Sequence, residues 1–480
     1  MQAAPTPPQK VEITAAKDRV PFRAKVAYGL GGLAENTMHN AVNNMANPVF
    51  NVGLGVSPAL IGVASSVFRL WDAVTDPIMG VISDRCESRF GRRKPYIVIG
   101  AIISALCFIA IWWAPAGLSQ IGYFWWFLLV SLLFYTGFTV FGVPYLALGY
   151  ELSSDYHERT RVMAFRTWFA SVGGIGIQWL FWLTQRDIFE NTVEGMRWVG
   201  IGVGVVLLLC ALMPGLFITE RRLSAREVAR NRETIRFRGM FGAFKVRPFR
   251  YILGALIASV LGMFMVAILG FYINVYHVFG GDLRAASTVI GVSGSFYHLC
   301  CLASVPLITW TSTRIGKRRA LCLFLSLAVV GTILKWWLFT PEAPYRQLVV
   351  TALMAPGLSA LWTLLSSMVA DVTDQDELEN STRREGSFGA IYNWTLKLGF
   401  AVCFLIAGLI LEASGFDEAL GGQQSEHTIT TLRFLYAAVP AAGLLLAIFI
   451  IARFPLTETR ARAIRDELKL RRQRDESAGA

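Results

Sequence analysis

Charged residues are scarce in this sequence: Asp, Glu, Lys and Arg make up 16% of its 480 residues, against 54% hydrophobic. A soluble domain carries about 25% charged residues. So little polar surface cannot cover a water-exposed globule, which excludes an ordinary soluble domain. Catalytic motifs are missing too. No phosphate-binding loop, nucleophile–base–acid set, EF-hand or metal-ligand spacing occurs, so neither an enzyme nor a cofactor is expected. The seven cysteines are odd in number, and most, including Cys300 and Cys301, lie in apolar stretches. Without zinc or redox spacing they read as small buried hydrophobes. The opening MQAAPTPPQKVEITAAKDRVPFRAK is polar and lacks a short apolar core before a cleavage site, so no cleaved signal peptide is expected. No appended signalling domain is recognisable, which disfavours a non-transporting membrane sensor.

What is present is a succession of long apolar runs. They cover residues 24–52, 58–83, 95–114, 121–150, 161–185 and 196–218, then 248–279, 285–311, 318–340, 345–370, 384–413 and 428–453. Each meets the roughly 20 residues that a spanning helix needs. An all-α membrane protein of twelve transmembrane helices is therefore expected. The formal charge of +12 would suggest a nucleic-acid partner in a soluble protein. Here the basic residues sit between apolar runs, so membrane lipids replace nucleic acid as the expected contact. Lys10 to Lys25, Arg85, Arg89, Arg92, Arg93 and Lys94, Arg221 to Arg250, Arg314, Lys317 to Arg319, Arg383, Arg384 and Arg453 to Arg474 all fall on one side. The opposite loops carry scattered charges such as Arg186, Arg197, Arg284 and Arg346. By the positive-inside rule both termini are expected to be cytoplasmic, in a multi-pass protein of the cell inner (plasma) membrane.

The expected organisation is a cytoplasmic segment 1–23, a six-helix bundle 24–218, a connector 219–247, a second bundle 248–453 and a tail 454–480. Connector and tail read as charged surface helices rather than binding sites. The halves repeat. Ser88-Arg-Phe-Gly-Arg-Arg-Lys94 follows the second span and Thr313-Arg-Ile-Gly-Lys-Arg-Arg319 the eighth. A weaker echo joins Glu151–Arg161 to Asp371–Arg383. Two bundles related by a pseudo-twofold axis imply a rocking transporter with its substrate site between them.

Ionisable residues inside a span are costly unless paired or wetted. In the second span, Arg69, Asp72 and Asp76 fall on one helical face. Two carboxylates one turn apart repel when ionised, so a cation or a proton must neutralise them. Hard oxygen ligands suit Na⁺, Li⁺ or H⁺, and Arg69 can balance part of the charge. The alternative is a salt-bridge cluster that sets packing. The first span carries Asn36, Asn40, Asn43 and Asn47 on one stripe, flanked by Glu35 and Asn44. Such a stripe lines a cavity that binds a polyol or water, or glues helices together. In the eleventh span, Asn393, Trp394 and Lys397 lie within about a turn. Lys397 is too deep to snorkel and wants a carboxylate, with Asp72 and Asp76 as candidates across the bundle. Arg166 is similar but nearer the cytoplasmic end. Lys335, toward the outer end, reads as a snorkelling lysine. Tyr145 and Trp394 are candidates to stack on a sugar face, with packing as the alternative. The segment 371–385 reads as an ion-paired latch.

Arg69-Leu-Trp-Asp-Ala-Val-Thr-Asp-Pro-Ile-Met-Gly80 and Ser83-Asp-Arg-Cys-Glu-Ser-Arg-Phe-Gly-Arg-Arg-Lys-Pro95 resemble the second-span signature of glycoside–pentoside–hexuronide:cation symporters. These form a melibiose permease-like family within the major facilitator superfamily. Tyr28-Gly-Leu-Gly31, Val143-Pro-Tyr145, Ala370-Asp-Val-Thr-Asp374 and Arg384-Glu-Gly-Ser-Phe-Gly-Ala390 extend the resemblance over nearly the whole chain. It implies a cation site at Asp72 and Asp76 with Thr139, and charge coupling through Lys397. The family's asparagine between the two acids is Thr75 here, which leaves both Na⁺ and H⁺ open. Its two sugar-gripping aspartates fall at Asn36 and Gly142, and Glu35 can replace a lost carboxylate only with a different helix rotation. The resemblance implies a monomeric cation-coupled symporter importing a small-molecule sugar or glycoside by alternating access. Its substrate site would draw on Glu35, Asn36, Asn40, Tyr145, Arg166, Asn393 and Trp394. Asp84, Arg85, Arg92, Arg93 and Arg318 would form the cytoplasmic gate. A lysolipid or other small amphiphile is the alternative cargo.

Overall fold

A computed structural model describes residues 19–86, 88, 90–153, 155–219, 242–380 and 384–479. The expected N-terminal segment up to residue 18 and the part of the connector from 220 to 241 lie outside the described residues. Lipid offers the backbone no hydrogen-bond partner, so each apolar run satisfies its own as a helix. The first half contains α1 (Phe22–Ala46), α2 (Pro58–Arg85), α3 (Lys94–Trp112), α4 (Gln120–Glu151), α5 (Tyr156–Gln178) and α6 (Thr192–Phe217). The second contains α7 (Arg247–Phe264), α8 (Leu283–Ile315), α9 (Lys317–Leu338), α10 (Gln347–Asn380), α11 (Glu385–Ala413) and α12 (Glu426–Ala452). These are the twelve transmembrane helices. A last helix, α13 (Glu458–Gly479), docks on the second half through buried Ala461, Ile464 and Leu468. No strand occurs among the described residues.

Local chemistry sets the helix ends. The side chains of Ser119, Asp155, Asn191, Asp282 and Ser425 accept backbone N–H bonds at the starts of α4, α5, α6, α8 and α12. Between α8 and α9 stands Gly316 alone, at φ 86°, a conformation that a residue with a Cβ rarely adopts. The first helices of the two halves share a further feature: α1 runs into a π-helical stretch, Asn47–Gly53, and α7 leads to another, Ile273–Val278.

Each half has its own aromatic and aliphatic core. Tyr28, Phe68, Phe108, Phe134 and Tyr145 anchor the first; Phe249, Leu321, Leu361, Phe388 and Leu444 anchor the second. Small residues allow the halves to meet closely. A side chain added at Gly62 of α2 would lie 2.6 Å from the Phe404 carbonyl oxygen of α11, and one at Gly174 of α5 would lie 2.6 Å from the His298 ring of α8. Nine described helices are long and apolar enough to cross a membrane by composition, and α1, α2 and α5 are not among them. Those three carry the Asn stripe, the two aspartates and Arg166. Their polar residues pair with other helices or line the cavities between them, so the fold tolerates their low hydropathy.

Candidate ion and substrate site

At mid-depth, α2 and α11 bring three charges together. Lys397 Nζ lies 2.8 Å from Asp72 Oδ2 and 2.5 Å from Asp76 Oδ2. The ammonium also donates to the Asp72 carbonyl at 3.3 Å. From α4, Thr139 Oγ1 stands 3.0 Å from Asp76 Oδ1 and 3.3 Å from Asp72 Oδ1. Thr75 Oγ1 lies 3.2 Å from the Thr139 hydroxyl and donates to the Trp71 carbonyl. Asp72 is buried, whereas the Asp76 side chain is 33% exposed. The geometry follows from the helical period, which stacks residues 72 and 76 on one face. Two carboxylates and one ammonium leave the cluster one negative charge in excess, with hard oxygen atoms on two helices, α2 and α4.

Arg69 shares that face but turns to α1. It donates to the His39 carbonyl at 3.3 Å and meets the His39 ring at 3.2 Å, over the rings of Tyr135 and Phe404. Among the described residues it makes no ion pair with the aspartates. His39 lies inside the Asn stripe, one turn from Asn36 and Asn43, so the same periodicity could have found it.

Above the cluster, between the halves, lies a cavity of about 530 Å³. Asn40, Asn43 and Asn47 of the stripe, with the flanking Asn44, line one wall. Phe264, Phe271, Phe400 and Phe404 line another, and Asn274, Gln347, Lys335 and Tyr436 stand toward the end remote from the termini. A second cavity of about 360 Å³ holds Glu35, Asn36, Arg166 and His298, and shares His39 and Asn40 with the first. Here Glu35 and Arg166 form an ion pair at 2.7 Å. Asn40 spends its amide N–H on the Asn36 carbonyl, while Asn36 Oδ1 is buried without a partner.

Other candidates lie elsewhere. Tyr145 is fully buried, stacked between Tyr28 and Phe141, with its hydroxyl donating to the Tyr28 carbonyl; it lines neither cavity. Asn393 and Trp394 are exposed and line neither cavity. Lys335 does not snorkel. It is 6% exposed and lines the central cavity, because the Tyr436 ring of α12 covers it at 3.6 Å. In the contacts seen among the described residues, the basic loops pair within their own half. Arg92 and Arg93 both pair with Glu151, at 2.6 and 2.9 Å, and with Asp84. Arg318 donates to the Phe454 carbonyl, and Arg85 is exposed. These loops join consecutive helices, so the carboxylates within reach belong to the same half. In the segment 371–385, Arg384 Nε donates to Asp376 Oδ2 at 2.8 Å, joining α10 to α11.

Several bridges between halves lie on the face remote from the termini. Tyr272 donates to Asn51 Oδ1 at 2.6 Å, Trp179 to Ser295 Oγ at 2.8 Å and Ser57 to Glu412 Oε2 at 2.7 Å. In the loop before α6, Asp187 pairs with Arg284, whose hydrogen bonds hold the carboxyl below the usual aspartate range.

Residues 27–458 match the family of MFS/sugar transport proteins. The chain belongs to that family. It is 26% identical to the sodium-dependent lysophosphatidylcholine symporter 1 of Gallus gallus, over 96% of this chain and 92% of that protein. It is 23% identical to the isoprimeverose transporter of Lactiplantibacillus pentosus, over 89% of this chain and 87% of that one. The crystal structure of a D-xylose–proton symporter has the same fold, with a TM-score of 0.63 at 15% identity, covering 92% of this chain and 99% of that one. The chain is thus a multi-pass membrane transporter of the major facilitator superfamily, not an enzyme.

Proposed function

We propose that this transporter is a cation-coupled symporter that imports a sugar or glycoside by alternating access. The observation that carries the reading is the Lys397 ammonium seated between Asp72 and Asp76. A group from the second half pairs with two carboxylates of the first half and offsets one of their two charges. A monovalent cation entering among Asp72, Asp76, Thr139 and Thr75 competes with the ammonium for the same oxygens. Occupancy of the ion site thereby sets the contact between the halves. The cavity above receives the substrate, with the α1 amides for its hydroxyls and the phenylalanine wall for an apolar face. Coupling is reciprocal, so substrate tightens cation binding by the same factor as cation tightens substrate. For a neutral cargo, one charge crossing 100 mV supplies about 2.3 kcal/mol, roughly fifty-fold accumulation.

The basic face is taken as cytoplasmic on the positive-inside rule, in the plasma membrane. The bridges through Tyr272, Trp179 and Ser57 then close the outer side, and the conformation is inward-open. The aromatic wall also favours a second cargo, a lysolipid or similar amphiphile, which the likeness to the Gallus symporter supports. Proteoliposomes given Na⁺ and pH gradients separately, with labelled sugars and lysophosphatidylcholine, test both cargoes. One substrate is expected to accumulate with one gradient and to lose accumulation in Asp72→Cys and Asp76→Cys. Undiminished uphill uptake in both variants sinks the ion-site assignment.

A further inference from the structure

The central cavity has an unbalanced lining. Its Lys and Arg residues are Lys335 and Arg69, and no Asp or Glu among the described residues lines it. Arg69 is engaged with His39 and two aromatic rings. Lys335 is far less satisfied. Its ammonium donates to the Tyr436 carbonyl at 3.3 Å and lies over the ring of that tyrosine. No described carboxylate stands within ion-pair distance of it. An ammonium has three donors, and only oxygens can accept from them. Of the neighbouring amide oxygens, Asn274 Oδ1 accepts from Gln347 Nε2, and among the described residues Lys335 donates to the Tyr436 carbonyl and to neither amide.

A buried charge without a counterion is unfavourable in a membrane interior, and pairing it with an anion relieves that cost. The phenylalanine wall lies in the same cavity. We propose that the outer end of the cavity is an anion subsite, in which Lys335 holds a carboxylate or phosphate of the substrate while its apolar body rests on the aromatic wall. The proposal rests on reading the central cavity as the substrate site. It narrows the cargo to molecules with an anionic group, such as uronides or lysophospholipids.

The test is equilibrium binding to the purified full-length protein, followed by intrinsic tryptophan fluorescence. The probes are two matched pairs: phenyl β-glucuronide against phenyl β-glucoside, and lysophosphatidic acid against the monoacylglycerol of the same chain. In one pair the anionic member is expected to bind about tenfold tighter or more, as a charge-assisted hydrogen bond in a dry site allows. The preferred pair tells carboxylate from phosphate. That preference is expected to vanish in Lys335→Met and to persist in Lys335→Arg. Removing an unpaired buried charge should leave the ligand-free Lys335→Met protein at least as heat-stable as the parent; Lys335→Gln serves as a second variant with the same expectation for binding. Equal affinity within both pairs, no binding of any probe, or a preference that survives Lys335→Met and Lys335→Gln each overturns the subsite. Binding is read without any gradient. Anion preference without gradient-driven uptake therefore upholds the subsite and refutes symport, and uptake without preference does the reverse.

Discussion

Replacing Lys397 by Met removes the one cation among the described residues that touches both aspartates. At an effective dielectric of about 20, a charge pair at the Lys397–Asp72 separation of 2.8 Å interacts by about 6 kcal/mol. Solvent screens part of the second contact, since the Asp76 side chain is 33% exposed. Breaking a buried pair by deleting one partner typically costs about 3–5 kcal/mol, and the screened member places the expected loss at the lower end. Lys397→Met should therefore be clearly less heat-stable than the parent at pH 8 in Na⁺-free buffer. Adding Asp72→Asn should restore most of the difference, because it removes the charge left stranded. The deletion also turns a cluster with one excess negative charge into one with two. Na⁺ should then raise the melting temperature of Lys397→Met more than that of the parent; at a hundred times its dissociation constant a ligand contributes about 2.7 kcal/mol. The assay is thermal unfolding of the detergent-solubilised protein across a Na⁺ series. The reasoning fails if Lys397→Met melts with the parent at every Na⁺ concentration, or if Asp72→Asn destabilises it further.

Thr139→Val keeps the shape of the α4 side chain and removes the hydroxyl that reaches both carboxylates. It should weaken coupling-ion affinity by roughly 10- to 150-fold, corresponding to about 1.5–3 kcal/mol for a charge-assisted bond, while substrate binding at saturating cation changes little. Isothermal titration with the cation measures it. The Asp187–Arg284 pair should make the closure on the face remote from the termini, proposed as the outer one, acid-sensitive: Arg284 holds the Asp187 pKa down. Its contribution is fully present above the ordinary aspartate pKa of about 3.9 and is lost as pH falls through the lower value of the pair. Accessibility of a cysteine placed at Ser57 to an external reagent should rise over that acid range, and Asp187→Asn should show the higher accessibility already at neutral pH.

The fold was legible because lipid leaves an apolar run one way to satisfy its backbone. The recurrence of about 20 such residues between basic loops translates directly into helices. The cluster at Asp72 and Asp76 was legible for a related reason: helical periodicity puts both carboxylates on one face, and a deep lysine on another helix needs such a partner. What escaped was rotation. Lys335 lies among apolar residues near a helix end, where snorkelling is the usual outcome. Whether it does so depends on Tyr436, a residue 101 positions away on α12 that covers it. Tyr145 failed as a cavity residue for the converse reason. Its helix turns it into the first-half core, where Tyr28 takes its hydroxyl and two rings sandwich it. Asn274 and Gln347, single amides in apolar stretches, carried no pattern to mark them.

The two halves repeat in fold but not in charge, and that difference bears on how coupling is proposed to work. The first half holds Asp72 and Asp76; the second supplies Lys397 to the cluster and Lys335 to the cavity. A site built wholly within one half could bind a cation without altering how the halves meet. In the proposed mechanism the ammonium, which pairs with one oxygen of each carboxylate, and an entering cation compete for the same two carboxylates, so one species would leave as the other arrives. Displacement would loosen the contact of α11 with α2 at mid-depth. The glycine contact of the same two helices, Gly62 against Gly408, lies nearer the end remote from the termini and is independent of charge. A hinge-like opening about that packed end follows from having one contact that depends on the ion and another that does not.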